Sequence, residues 1–355
     1  MNKVKVGIIG CGYMAQMAHI PCLKSIKNVE VAALCDFRGH VTTELCDRWN
    51  IPARTDSVDD LLAMDIDAVF VLTPVQWHLS NIKAALNAGR QVFTEKPAAM
   101  SSASVSELKK ISALSGKGVT VGYMKRLDAN IVELKRIQSE SNWGKMLFVR
   151  THSFIGGHWN AAINDLVPVV SSDEIPSFNA SLLDPAPVWL NGERNQKFYS
   201  FDNPYYGLLD TGCHSVNLLR YLTGKDPEVQ SVRNMSGVRL VDFNFEDVPG
   251  IMEFCINFNM HRWDEVTELY FEKASVRILT PPPLDMQSSA IAEIYSEKGA
   301  LLHNLKLEDN RQWAFRLQAE AFIEKVLKGD NSSCLDDAGK DIEIIEEIYK
   351  IEKGI

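Results

Sequence analysis

The 355-residue chain has no paired cysteines, no long apolar run, no excess of basic residues and no internal repeat. Its seven cysteines, Cys11, Cys22, Cys35, Cys46, Cys213, Cys255 and Cys334, are scattered without a CxxC pair. That argues against a zinc site and a disulfide framework, so no metal is expected and a reducing, cytoplasmic compartment is. No stretch approaches the ~20 apolar residues of a membrane span. The opening MNKVKVGIIGCG imitates a signal peptide only briefly before it passes into a glycine turn. With 37 Lys and Arg against 46 Asp and Glu, the net charge of -9 offers no field to attract nucleic acid or an anionic membrane. The expected partners are small molecules and other subunits.

What is present is a soluble, globular composition, 46% hydrophobic and 23% charged, on a chain long enough for about two domains. VKVGIIG, VEVAALCD, DAVFVL, QVFTEK and GVTVGY read as short buried strands. Helical stretches near 14 to 26, 78 to 88 and 102 to 115 lie between them, the pattern of a doubly wound parallel sheet. A helix near 127 to 139 follows, then a strand at KMLFVRTHSF. Beyond a long Gly/Pro/Asn/Asp-rich region come further strands, at IMEFCINFNM, VTELYFEK, SVRILTP, AIAEIYSE and ALLHNLKL, and closing helices near 311 to 328 and 336 to 352. IMEFCINFNM alternates, with Met252, Phe254, Ile256, Phe258 and Met260 on one face. The expectation is an α/β nucleotide-binding-type domain over 1–125. An α+β domain over 126–355 follows, with a large open, mostly antiparallel sheet, and the closing helices are free to pack back on the first domain. An open sheet of this kind often pairs with another subunit, so a homo-oligomer is expected.

Gly10-Cys11-Gly12-Tyr13-Met14-Ala15 is a GxGxxA between the first strand and first helix. Gly10 suits a tight turn, Gly12 lets a pyrophosphate approach the backbone, and Ala15 lets helix and sheet pack closely. Asp36, at the end of the second strand, suits the ribose hydroxyls of NAD and repels a 2'-phosphate, whereas Arg38 nearby suits that phosphate. NAD is expected ahead of NADP. Thr73-Pro74 ends another strand at the sheet edge where ligands of such folds bind, and His78 opens the next helix, a position equally compatible with a solvated first-turn residue. Glu95-Lys96-Pro97 ends the strand after that. Lys96 is either an ordinary surface lysine or an ammonium placed to stabilise an alkoxide-like transition state.

GIIGCGYMA, Asp36, TPVQWH, ALNAGRQVFTEKP and DTGCHSVN, in this order, resemble the Gfo/Idh/MocA oxidoreductases over nearly the whole chain. The resemblance implies a Rossmann domain, a nicotinamide cofactor and a sugar or cyclitol substrate. It also implies a catalytic set of Lys96, Asp210 and His214, with a proline at Pro97 that is often cis. His214 would take the hydroxyl proton, Asp210 would orient the imidazole and Lys96 would hold the reacting oxygen, with lysine as base the alternative. Asn217 stands where the family more often has an acid. In GYMKRLD, Lys125 is placed at the cofactor, while Tyr123 and Arg126 join the substrate set with His152, His158, Trp159, Asn160 and Tyr206. In GLLDTGCHSVNLLRYLTG, a continuous helix puts Asp210, His214 and Asn217 on one face and Val216, Leu219 and Leu222 on another.

Between the strand at 146 to 154 and that helix lie Trp159, Phe178, Trp189, Phe198, Tyr199, Phe201, Tyr205 and Tyr206. These aromatics suit a glycoside or other substituted sugar, and suit equally well an anchor for the loop or a subunit contact. Four functions are open. One is a sugar, glycoside or cyclitol dehydrogenase acting at a ring secondary hydroxyl, C3 by family analogy. The others are an NAD-dependent glycosidase that recycles its cofactor, a ketoreductase of sugar biosynthesis, and a sugar or dinucleotide sensor without catalysis.

Overall fold

The computed structural model describes residues 3–156, 168–169, 180–191, 198–260, 262–298, 301–308 and 312–355. The chain forms two compact units. The first comprises Met1–Gly122, Asn164–Asp210 and Gln318–Glu343, and the second Tyr123–Ile163, Thr211–Leu317 and Ile344–Ile355.

The first unit is built on six parallel strands: β1 (Val4–Ile9), β2 (Val29–Cys35), β3 (Ala53–Thr55), β4 (Ala68–Val71), β5 (Gln91–Glu95) and β6 (Val119–Gly122). Their order is β3-β2-β1-β4-β5-β6. Nearly continuous apolar runs make these strands because both faces of the sheet are covered, so every residue of β4 and of β5 is buried. The three-residue β3 is too short to show a period, and neither it nor the helices Gly39–Trp49 and Val58–Ala63 stood out in the sequence. Strand order reverses between β1 and β4, which opens a crevice at their carboxyl ends. Phe70 of β4 stacks on Phe93 of β5 with centroids 4.6 Å apart, and Phe322 meets both rings edge-on.

Residues 164–210 cluster with the first unit rather than with the domain expected from 126 onward, and residues 318–343, from the closing helices that were free to pack back, join it too. A buried carboxylate explains part of this. Asp184 is fully buried and accepts from the Met100 amide at 2.6 Å and the Ser104 hydroxyl at 2.5 Å. Tyr205, also fully buried, donates to the Met100 carbonyl at 2.9 Å, with Trp189 edge-on to its ring and Phe198 beside it. Unpartnered, these polar groups would each cost on the order of 1–3 kcal/mol, so the network fixes the segment.

The second unit carries eight strands: β7 (Met146–Gly156), β8 (Glu228–Met235), β9 (Val238–Phe245), β10 (Val248–Asn257), β11 (Asp264–Phe271), β12 (Ala274–Leu279), β13 (Ile291–Lys298) and β14 (Leu301–Leu307). They run in the order β14-β13-β12-β11-β7-β10-β9-β8. All neighbours are antiparallel except β7 and β10. Val149, Thr151, Ser153 and Ile155 of β7 are buried and alternate with half-exposed partners. Helix Cys213–Thr223 packs on the buried side, where the Ser153 and Ser215 hydroxyls meet at 2.8 Å.

That alternation corrects the placing of His152 in the substrate set. His152 is on the opposite face of the sheet from Ser153 and the helix carrying His214, bonded to Glu253 at 2.6 Å and stacked on Phe154. Phe258 and Met260 are corrected too. β10 ends at Asn257 in a turn, which leaves both side chains exposed rather than on the face of the buried Met252 and Phe254. Among the described residues no helix is long and apolar enough to cross a membrane. No group of three or more His, Cys, Asp or Glu among them is placed to hold a metal ion.

Candidate active site

In the first unit, Gly10 has φ +93° and lies so close to the next strand that a Cβ would meet the Thr73 amide nitrogen at 2.7 Å. Only glycine fits there. At Gly12 the reverse holds: nothing lies within 4 Å of a built Cβ, which leaves open backbone at the start of the first helix. Ala15 is fully buried against the sheet, while Tyr13 and Met14 are half-exposed. The turn is tied to β2 because the Cys11 amide donates to Asp36 at 2.8 Å. A tight turn, an open cradle and an acid at the end of β2 together fit the pyrophosphate and ribose of a dinucleotide.

Asp36 is nearly buried, and its oxygens are crowded. They accept from the Cys11 amide, the Arg38 amide at 3.0 Å, and Arg38 Nε and a terminal guanidinium nitrogen at 2.8 and 2.7 Å. Burial pushes its pKa up, but the hydrogen bonds from Arg38 and Cys11 outweigh it and hold the carboxyl below the usual range. About four acceptor positions exist on a carboxylate, and all four are used.

His78 is buried, with Nδ1 2.8 Å from the Pro97 carbonyl and Nε2 2.8 Å from the Thr73 carbonyl. It therefore ties the ends of β4 and β5 together, and burial lowers its pKa. Thr73 also accepts from Asn81 at 3.3 Å, and Pro74 is exposed beside it. The Lys96–Pro97 peptide is cis. Lys96 reaches Asp210, its ammonium donating to the carbonyl at 2.9 Å and the carboxylate at 3.2 Å. Both side chains remain partly open to solvent. Tyr206, half-buried beside them, has its phenol pushed up to about 12 by burial and by Asp210, so it is a neutral donor at ordinary pH. Phe201 braces its ring edge-on at 5.5 Å.

Residues 208–212 form a π-helical turn before helix Cys213–Thr223. The wider turn breaks the even spacing assumed for Asp210, His214 and Asn217 on one face. In the second unit, the His214 ring sits edge-on to Tyr123, centroids 6.2 Å apart. Asn217 is buried alongside Val216, Leu219 and Leu222, and its carbonyl accepts from Arg126, which lies over Tyr221. Lys125, expected at the cofactor, has its ammonium buried against Glu265 instead. His158, Trp159, Asn160 and Phe178 lie outside the described residues.

The structure adds side chains with no motif of their own. The Gln16 amide donates to the Cys11 carbonyl at 2.9 Å and bonds both backbone groups of Val169, tying the long segment to the dinucleotide turn. His19 is fully buried against Glu95. Nothing in the spacing of either residue distinguished it from helix filler.

A dinucleotide turn with an acid just after β2 and a lysine at the end of β5 is the arrangement of a dinucleotide-binding Rossmann domain. Residues 4–123 match the model of the Gfo/Idh/MocA oxidoreductase family, with its NAD-binding Rossmann fold. An inositol 2-dehydrogenase of Salmonella paratyphi B is 30% identical over 162 residues, 45% of this chain and 45% of that relative, so the match spans less than half of the relative's length. An inositol 2-dehydrogenase of Klebsiella pneumoniae is 27% identical over 341 residues, 92% of this chain and 87% of that one. In fold, the chain resembles a 3-ketoreductase from Actinomadura kijaniata in complex with NADP and TDP-benzene. The TM-score is 0.73 at 18% identity, covering 98% of each chain.

Proposed function

We propose that this chain is a dehydrogenase that moves a hydride between a ring secondary hydroxyl of a sugar, glycoside or cyclitol and a nicotinamide, with C3 the preferred carbon. The observation that carries the reading is Lys96, whose ammonium is held by Asp210 at the carboxyl edge of the sheet that bears the dinucleotide turn. The nicotinamide, when bound, supplies the hydride acceptor. Gly10 to Ala15 and Asp36 would hold the dinucleotide, with Thr73, Pro74 and Pro97 along the same edge. Lys96 would donate to the substrate oxygen, where an ammonium favours developing negative charge. Tyr206 adds a neutral donor, and His214 takes the hydroxyl proton. Asp210 supports the reaction by fixing Lys96.

NAD is the preferred cofactor because a carboxylate at residue 36 repels a 2'-phosphate. Arg38 favours a second reading, use of NADP, since swinging off Asp36 would turn its guanidinium toward such a phosphate. A substituted sugar is the preferred substrate, a reading supported by Tyr206 near Lys96 and Asp210 with Phe201 edge-on to it, since aromatic faces suit sugar C–H surfaces. The chain works as a homo-oligomer, the open face of the second sheet, with Phe148, His152, Phe154 and Tyr270, lying against a second copy; light scattering at micromolar concentration tests this.

Mass spectrometry of the native protein for retained cofactor, followed by a panel of sugars, glycosides and cyclitols assayed for ketone and NADH, tests the activity. Lys96→Ala and His214→Ala should each lower kcat about 10²- to 10³-fold while leaving cofactor binding intact. Near-normal turnover in either variant would overturn the role given to that residue. Equal turnover of free cyclitols with poor turnover of every glycoside would refute the substrate reading, and release of aglycone without NADH would identify a hydrolase.

A further inference from the structure

We propose that His19 is a positioning residue for Lys96, acting through Glu95. His19 lies just beyond the dinucleotide turn, in the π-helical segment Ala15–His19, and is fully buried. Its Nε2 is 2.7 Å from one oxygen of Glu95. The other Glu95 oxygen accepts the backbone N–H of Lys96 at 3.1 Å. Lys96 in turn reaches Asp210 with its ammonium. A continuous chain of polar contacts therefore runs from the helix after the turn to the lysine at the strand end.

The surroundings make this chain hard to replace. The His19 ring lies against Phe93 and Phe70, at 5.4 and 5.9 Å, and Phe322 closes the same cluster. Water has little access to the Glu95 carboxylate, so its charge depends on protein donors. Burial pushes the Glu95 pKa up, and the hydrogen bonds from His19 and the Lys96 N–H, together with the Lys96 charge, outweigh it, which keeps the carboxyl below its usual range. Glu95 is thus an anion that holds the Lys96 backbone N–H, and His19 is the side chain that fixes it there. Loss of His19 leaves a carboxylate in an aromatic pocket without its donor, and the group takes up a proton or turns away. Either outcome changes both the backbone position and the charge environment of Lys96.

The inference rests on the dehydrogenase reading for its consequence in turnover, but not for its test at the lysine. Apo protein is treated with trinitrobenzenesulfonate, and trapping of the neutral Lys96 amine is followed by peptide mass spectrometry. This is done for the natural protein, His19→Phe, Glu95→Gln, the double variant and His19→Gln. Lys96 labelling should rise about three- to ten-fold in both single variants as a neighbouring anion is lost. The double variant should show no further increase, because both changes act on one contact. It should also recover the Tm lost by His19→Phe, since no unpartnered carboxylate remains. Its kcat should stay about ten-fold low with the KM for NAD unchanged, which a purely structural role would not produce. His19→Gln, which keeps an N–H donor, should restore most of the kcat. Unchanged Lys96 labelling in Glu95→Gln, additive effects in the double variant, or recovery of kcat together with Tm would each overturn the proposal. If His19→Phe does not fold, Glu95→Gln and His19→Gln still decide it. Absence of hydride transfer by the natural protein would sink the dehydrogenase reading alone, because the labelling needs no substrate.

Discussion

Replacing Arg38 with alanine should shift the balance between the two nicotinamide cofactors further toward NAD, by an amount the structure lets us work out. Arg38 grips Asp36 through two side-chain contacts, at 2.8 and 2.7 Å, with the arginine side chain 24% exposed and the carboxylate 4%. A two-point, charge-assisted pair at a half-open rim is worth roughly 1–1.5 kcal/mol net, more than a fully exposed pair and less than a buried one. A ribose diol can use Asp36 only after displacing those contacts, because the carboxylate has no acceptor position to spare. Removing the guanidinium should therefore tighten NAD binding by about five- to ten-fold. NADP, which in the natural protein recruits the displaced guanidinium for its 2'-phosphate, should weaken by a similar factor. The ratio of the two dissociation constants should then move by about 25- to 100-fold toward NAD, measured by calorimetry at fixed ionic strength. Added salt should erode NADP binding to the natural protein more than NAD binding. Weaker binding of NAD, or equal movement of both cofactors, would refute the reasoning and mean that Arg38 serves the turn rather than the ribose.

The remaining predictions concern single contacts. Gly10→Ala should prevent stable folding, since the new Cβ would collide with backbone at 2.7 Å, whereas Gly12→Ala should change Tm little. Gly12→Ala should still weaken cofactor binding about ten-fold or more by filling the cradle, and normal affinity would show that the dinucleotide does not approach there. Tyr205→Phe removes the hydroxyl on the buried Met100 carbonyl and should cost about 1–2 kcal/mol, read as a lower urea midpoint with the aromatic packing kept. Asp36, whose folded pKa is depressed, stabilises the protein above its unfolded value near ~3.9 and loses that contribution as pH falls. The Tm gap between the natural protein and Asp36→Asn should accordingly hold above about pH 4 and narrow as pH falls below it through the depressed folded value, and a gap independent of pH would exclude this linkage.

Much of the architecture was written in local patterns. Five of the six strands of the first sheet are apolar runs long enough to see, and the glycines, Asp36 and the lysine after β5 fall at strand ends where the loop chemistry is local. Alternation in β10 marked Met252 and Phe254 as buried, although it could not say that the strand would stop before Phe258. Period also misled where the backbone departed from its ideal. The π-helical turn at 208–212 adds width that an i, i+4 count does not include, and a strand register decides which face His152 takes.

The sequence alone therefore determined most strands of the first sheet, the glycine turn after β1 and the residue types at the strand ends, because each is encoded within a few adjacent positions. Only the tertiary structure decided who partners whom. Arg38 filling Asp36, Lys96 resting on Asp210, Lys125 going to Glu265 and Glu95 lying against His19 join residues that spacing does not mark as partners. The long aromatic segment was assigned the same way: Asp184 and Tyr205 find buried partners at Met100 and Ser104, about a hundred positions back along the chain, and carry residues 164–210 into the first unit. Periodicity states which side of an element is buried. It does not state against what, since that depends on the donors and acceptors the fold brings within reach.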